Sequence, residues 1–458
     1  MEITFPTSLI PPTSSINRFQ SYVEKFKREK TANIEFIRRD LPDVSVSEEA
    51  PQHILCLVID ALRFDALDKE VTPFLNKLTG PSAMSPATWT YPSVSSLHTG
   101  QYPHTHGAMR QSDDPKNFTP DEVTFPPKIP DSTHTLPEFL AGAGYETFGA
   151  FGIPIPFLAM QGRFRHHLTF SWDDNVAAEQ IINEYISWLQ GREHGRTFAY
   201  LHLTDLHAPV DPPEKYWEVH DVDSSIPAIQ TWQFRDGNEN TDVDVNEYRE
   251  NRKQLYTAAL DYVDDQISSL YESTQVSLGN IMIIVTGDHG EAFWEHERFD
   301  KQHFFDPRPA HCVSHGTTPY ESIARVPLLS NDSIFSDVPS SLIDIMPTIL
   351  NEVGITIPES VEGKIHGSDI PSDRVLLIEA SRHGHEKKAV YKSGLKLLVS
   401  RGDDQYLGYK VPEETPVSLP DRVESELREE LPSWPDDVRE SRHISGDLRN
   451  QLEDLGYA

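Results

Sequence analysis

A chain of 458 residues with 37% hydrophobic side chains can bury a large core, which excludes a disordered or fibrous protein. Its 72 acidic against 40 basic side chains leave a formal charge of −32, a field that repels nucleic acid and anionic membranes. Nucleic acid is therefore set aside as a partner, and the acidity fits a surface kept hydrated in a salt-rich cytoplasm.

The chain starts "MEITFPTSLIPPTSSINRF", with no basic leader and no long apolar run, and no later window approaches the ~20 apolar residues of a membrane span. The expectation is a cytoplasmic protein with no membrane span. "HILCLVID" (53–60) predicts a buried strand, nearly continuous in apolar residues as central parallel strands are. The hydroxyl-rich stretch 88–107, "TWTYPSVSSLHTGQYPHTHG", follows, with Pro92 suited to the first turn of a helix. Helical spacing recurs at 177–191, 251–271 and 340–354, the last closing on Gly354. "TFAYLHLTD" (197–205), "IMIIVTGD" (281–288) and "RVLLIEA" (374–380) read as further buried strands. Residues 233–250 read as an acidic surface insertion and 411–440 as a Pro- and Glu-rich stretch over the outside. "KKAVYKSGLKLLVS" (387–400) alternates on both sides of Ser-Gly, the pattern of a hairpin. Strands alternating with helices imply an α/β fold, a mixed sheet between helices. Cys56 in an apolar run and Cys312 in a polar loop imply no disulfide framework.

Three segments carry chemistry. Asp60 ends the first strand, and in open α/β sheets that edge is where ligands bind; a lone Asp there serves equally well as a helix N-cap. "TGDHGE" puts Asp288 and His289 at the end of another strand, an oxygen donor beside an imidazole, which suits Zn or Mn better than Ca. Taken alone, that pair is also compatible with a turn and a satisfied histidine. If the hydroxyls of 88–107 lie over the same edge, one of them can meet the ion, lose its proton and attack an electrophile.

The motifs resemble the sulfatase-like family of the alkaline phosphatase superfamily. "TYPSVSSLHTG" is similar to the sulfatase signature, a Cys or Ser followed by x-Pro-Ser-Arg and closing in Leu-x-Thr-Gly, with Thr90 at the nucleophile position. "VIDALRFD", "YPHTHG", "LTDLHAPVDPP", "GDHGE", "HGTTPYESIARVPLL" and "LIDIMPTIL" follow in the family's order. The resemblance implies a large, mostly parallel mixed sheet sandwiched by helices, with a small C-terminal antiparallel subdomain. It divides the chain into an N-terminal extension (1–50), a catalytic domain (51–370) and a C-terminal subdomain with an acidic tail (371–458).

It also implies Asp60, Thr90, Asp288 and His289 around a divalent ion, Zn or Mn, and a small-molecule or glycan ester as substrate. A sulfatase oxidises its Cys or Ser to formylglycine, which Thr90 cannot become, so the resemblance favours a phosphate mono- or diester hydrolase. A phospho-group transferase to a glycan or lipid, or a sulfuric ester hydrolase, are the alternatives. Two of the family's cations are missing: Val94 stands for the signature Arg, and His315 for a Lys. A transferring phosphoryl group needs that charge replaced. One ion is expected, with His207 and His315 as catalytic hydrogen-bonding groups. The alternative is a second ion on Asp205, His207 and His315, although the Asp205-Leu206-His207 spacing departs from two-metal relatives. No task is assigned to the His-rich insertion 291–314, including His296; His303 and His311 are read as ordinary loop histidines, and His383 and His385, after the last predicted strand, could reach the cleft rim or serve equally well as surface imidazoles.

Overall fold

The computed structural model describes residues 13–110, 126–171, 176–232, 244–278, 281–308 and 310–434. Ten strands precede residue 342: β1 (His53–Ile59), β2 (Ser82–Met84), β3 (Glu146–Phe151), β4 (His166–Thr169), β5 (Thr197–Leu203), β6 (Met282–Gly287), β7 (Ala292–Phe293), β8 (Val313–Ser314), β9 (Arg325–Ser330) and β10 (Ser340–Ser341). Eight of them form one sheet in the order β10-β2-β9-β6-β1-β5-β3-β4. Every pairing is parallel except the two made by β9, which runs against both β2 and β6. The expected mixed, mostly parallel sheet is present. β7 and β8 make a separate antiparallel pair.

The apolar run of β1 is buried throughout because both sheet faces are covered. Ile54, Cys56 and Val58 face one hydrophobic cluster, and Leu55, Leu57 and Ile59 the other. β5 and β6 alternate the same way, with Phe198, Tyr200, Met282 and Ile284 on the first face. That face is packed by the helices Thr90–Thr99, Leu136–Gly142, Pro154–Met160 and Ile345–Glu352. The other receives Ala178–Leu189, Glu214–Val219 and Val245–Leu278. Each Leu, Ile or Val so enclosed contributes about 1.5–3 kcal/mol of transfer free energy. The N-terminal helix Thr13–Ile37 covers the edge strand, its Glu29 and Asn33 side chains accepting from the backbone N–H groups of Thr169 and His167.

The remaining strands, β11 (Leu376–Ile378), β12 (Lys387–Lys392), β13 (Leu395–Ser400), β14 (Gln405–Lys410) and β15 (Thr415–Pro416), form a second, wholly antiparallel sheet. The hairpin turn is Ser393-Gly394 with φ of 52° and 77°, the mirror-image geometry that fits strand twist. The two sheets are locked by a buried cluster: Lys396 is enclosed by Tyr320, Tyr391 and Tyr409 and pairs with Glu414, which also accepts from His296 at 3.0 Å.

Several expectations change. Residues 374–380 supply the edge strand β11 of the small sheet. Residues 245–250 are the first turns of the helix Val245–Leu278 rather than an insertion, and 233–243 lie outside the described residues. Within 411–440, Asp421–Glu429 is helical and buries Leu427, while 435–440 lie outside the described residues. Among the described residues, no helix is long and apolar enough to cross a membrane. Cys56 and Cys312 sit in different clusters, and burial pushes the Cys56 thiol up to about 12.

Candidate active site

Strand register builds the site. Ile59 is level with Leu203 on β5 and Gly287 on β6, so Asp60, Thr204 and Asp288 emerge side by side beyond the carboxyl ends. Alternation carries Asp60, His202 and Asp288 to the face on which the helix Thr90–Thr99 packs. That helix starts after an extended Trp89, buries Val94 and Leu97 in the core, and closes on Gly100 in the left-handed region, with φ of 65°. Ser93 Oγ donates to Asp288 O at 2.6 Å, and Ser85 Oγ donates to the same carbonyl at 2.6 Å. The helix start is thereby pinned to the end of β6, which puts Thr90 Oγ1 3.2 Å from His289 Nε2.

Asp60, Asp288 and His289 offer ligand atoms that all lie within 4.8 Å of one another, and all three residues are fully buried. His289 Nε2 is 3.6 Å from Asp60 Oδ1 and 3.5 Å from Asp288 Oδ2. His289 Nδ1–H donates to Gly290 O at 2.8 Å, which leaves the Nε2 lone pair aimed into the cluster. Among the described residues, Asp60 Oδ1 and Asp288 Oδ2 have no hydrogen-bond donor although both are buried. Two desolvated carboxylate oxygens beside an imidazole lone pair are costly together, and a divalent cation would satisfy all three. Burial works against the charge on Asp60, but His207, His202 and His289 outweigh it and hold its carboxyl at about 2. Burial and then the Asp60 charge push Asp288 up.

His207 and His315 approach this cluster from two loops. The His315 ring is 4.3 Å from that of His289 and 5.3 Å from that of His207. His207 Nδ1–H donates to Ala208 O at 2.7 Å, and His315 Nδ1 lies 3.2 Å from Glu291 Oε1. Burial, followed by the neighbouring imidazoles, holds His315 well below the usual histidine range, and burial lowers His207 as well. Asp205 is not in the metal-ligating cluster: its Oδ1 accepts from Ala178 N at 3.0 Å, at the start of the helix Ala178–Leu189. Burial pushes its carboxyl up to about 7.

Val94 is fully buried in the core and presents nothing to the cleft. His303 ends the helix Glu297–His303, stacked on Phe299 with Nδ1–H donating to Phe299 O. His296 serves the junction of the two sheets, and His383 donates its backbone N–H to Gly316 O beside the cleft.

Three residues near the cluster escape sequence reasoning. Glu291 adjoins His315, and Arg382 lies over Trp89. His202 receives the Tyr200 hydroxyl on Nδ1 at 2.8 Å, so its Nε2–H donates to Asp60 Oδ2 at 3.2 Å. The one available signal is a histidine inside an otherwise apolar central strand.

A mixed sheet in an α/β/α sandwich, with acidic and imidazole side chains gathered at its carboxyl edge next to a helix that starts in a hydroxyl residue, is the architecture of the alkaline phosphatase superfamily. The chain belongs to the sulfatase family, whose sequence profile matches residues 52–355. An arylsulfatase of Clostridium perfringens (strain 13 / Type A) is 28% identical over 277 residues, covering 54% of this chain and 53% of that protein. The uncharacterized sulfatase YidJ of Escherichia coli (strain K12) is 29% identical over 134 residues, 28% of this chain. The chain thus spans 53% and 24% of the lengths of these two curated relatives. A phosphonate monoester hydrolase from Silicibacter pomeroyi shares the fold with a TM-score of 0.60 at 16% identity, over 82% of this chain and 93% of that one. A protein solved in complex with its substrate D-glucosamine-2-N,6-O-disulfate gives a TM-score of 0.59 at 15% identity, over 79% and 91%.

Proposed function

We propose that the protein is a metal-dependent hydrolase of anionic esters, with Thr90 as nucleophile and a phosphate mono- or diester as the favoured substrate. The observation that carries this reading is the Thr90 hydroxyl, 3.2 Å from His289 Nε2 and beside two buried carboxylates whose inward oxygens lack donors. Asp60, Asp288 and His289 would hold the ion, with Thr90 next to it. A bound divalent cation there supplies Lewis-acid polarisation of the ester and eases loss of the Thr90 proton.

The chain's own residues do the rest. Thr90 is held on a buried helix start, so its oxygen is positioned without further ordering. Its Oγ1 bonds to phosphorus while the bond to the leaving oxygen breaks, and the proton that Thr90 gives up passes through His207 or His315 to that oxygen. Water then cleaves the phosphothreonine and returns a proton to Thr90. The preference for phosphate rests on Thr90 itself, because a secondary alcohol cannot be oxidised to the aldehyde that formylglycine chemistry requires. The match to an arylsulfatase favours the second reading, a sulfuric ester hydrolase.

Aryl phosphate, bis-aryl phosphate, aryl phosphonate and aryl sulfate, offered in parallel with Mn or Zn added, separate the two. Turnover of phosphorus esters, lost by about 10³-fold or more in a folded Thr90→Ala protein, is expected. Undiminished hydrolysis by Thr90→Ala removes Thr90 as nucleophile, and activity on aryl sulfate alone reverses the substrate preference.

A further inference from the structure

Transfer of a phosphoryl or sulfuryl group leaves negative charge on peripheral oxygens, and a buried site needs a preorganised cation facing them. The two sequence positions at which that cation is expected do not supply it. Val94 is in the core and carries no charge, and a histidine, His315, stands where the lysine would be.

The small sheet sends another one in. After β11 the chain turns back toward the nucleophile. Glu379 N donates to Pro86 O at 3.0 Å, Gly316 N to Thr88 O at 2.7 Å, and the backbone N–H groups of Arg382 and His383 both to Gly316 O at 2.8 Å. Residues 86–88, Gly316 and 379–383 are thus one hydrogen-bonded unit, two residues from Thr90 and one from His315. Gly316 has φ of +78°, and a Cβ there would stand 3.0 Å from Arg382 Cβ and 3.6 Å from Arg382 Cδ, so its bare backbone is what lets the arginine stem lie across it. The guanidinium carbon rests 5.3 Å from the ring centroid of Trp89, the residue before the nucleophile, and Arg382 is only 5% exposed. Arg110 Nη1 donates to Gly384 O at 3.0 Å and to Arg382 O at 3.4 Å, which steadies the turn.

We propose that Arg382, delivered by the C-terminal sheet over Gly316 and Trp89, binds the peripheral oxygens of the ester anion and replaces the cations absent at positions 94 and 315. A planar guanidinium fork suits a tetrahedral oxyanion, and the cation–π contact with Trp89 holds it beside the nucleophile before substrate arrives. The C-terminal sheet thereby completes the active site. This assignment rests on reading the site as an ester hydrolase.

The test uses full-length wild type, Arg382→Gln and Arg382→Lys, each loaded with Mn, with inorganic phosphate as the binding probe. Metal content, melting temperature, phosphate affinity by calorimetry and kcat/KM on the best aryl ester are measured. Arg382→Gln is expected to keep its metal, bind phosphate about 10- to 100-fold more weakly and lose about 10²- to 10³-fold in kcat/KM. Added guanidinium ion should restore part of that turnover, a response that a merely structural residue would not show. Arg382→Lys should fall in between, because it keeps the charge and loses the fork. Wild-type phosphate affinity and turnover in Arg382→Gln overturn the proposal. Should that variant fail to fold, wild-type behaviour of Arg382→Lys in both measurements overturns it instead. A wild type that neither binds phosphate nor cleaves any ester refutes the hydrolase reading, and the role of Arg382 with it; a wild type that turns over beside an unaffected Arg382→Gln refutes only the latter.

Discussion

Asp288→Asn should stabilise the metal-free protein and destabilise the metal-loaded one, a reversal that a merely structural aspartate would not produce. Asp60 and Asp288 place carboxylate oxygens within 4.8 Å of each other in a fully buried cluster. At an effective dielectric constant of ~20, two such charges repel by about 3 kcal/mol. Asparagine keeps the Oδ1 acceptor that receives His289 N at 2.9 Å and Ala61 N at 3.3 Å. It also puts an amide donor where Oδ2 has none, 3.5 Å from the His289 Nε2 lone pair. The metal-free variant should therefore gain up to about 3 kcal/mol; for a chain of 458 residues that is a rise in Tm of about 3 °C. With Mn at about 1,000 times its Kd the wild type gains about 4.1 kcal/mol, a rise of about 4 °C, and the variant gains almost nothing. Scanning calorimetry at about pH 8, with chelator and with Mn, gives four melting temperatures, with wild type and variant exchanging order between the two conditions. A variant less stable than wild type in chelator, or one that keeps the full metal-induced rise, refutes the assignment of Asp288 as a ligand.

Two further outcomes follow from buried groups outside the cluster. Burial raises Asp205 to about 7 from an ordinary value of 3.8, so between those limits only the folded state keeps the proton, and stability falls as pH rises from about 4 to 7. Glu386, raised to about 7, and Asp300, raised to about 6, act with the same sign. Asp205→Asn should flatten that decline by about 1–2 kcal/mol, the full linkage value being discounted because Asp205 is part-exposed; an unchanged slope of Tm against pH would contradict a protonated Asp205. Lys396→Ala leaves Glu414 buried without its cation and should cost about 3–5 kcal/mol, measured by denaturant unfolding, while His296→Ala, which removes one hydrogen bond to the same carboxylate, should cost about 1 kcal/mol.

What the sequence determined by itself was whatever lies within one element or at its end. The runs 53–60, 197–205 and 281–288 announce central strands because burial on both faces demands continuous apolar residues, and they became β1, β5 and β6. Asp60, Thr90, Asp288 and His289 were legible because each sits next to such a run or at a helix start, inside a motif of a few residues. The tertiary structure alone decided what depends on long-range register. β2 and β10, with three and two residues, carry too little pattern to be read, and they are held by pairing to neighbours far along the chain. His202 meets Asp60 across 142 residues only because β5 lies beside β1, and nothing in "TFAYLHLTD" says which strand will be its neighbour. Asp205 shows the reverse case: two residues from His207 in sequence, it was turned by the start of the helix Ala178–Leu189 to cap a backbone N–H. Arg382 is 292 residues from Thr90 in the chain, and it reaches Trp89 because Gly316 lacks a side chain and three backbone segments share hydrogen bonds, a coincidence of surfaces that no local pattern encodes.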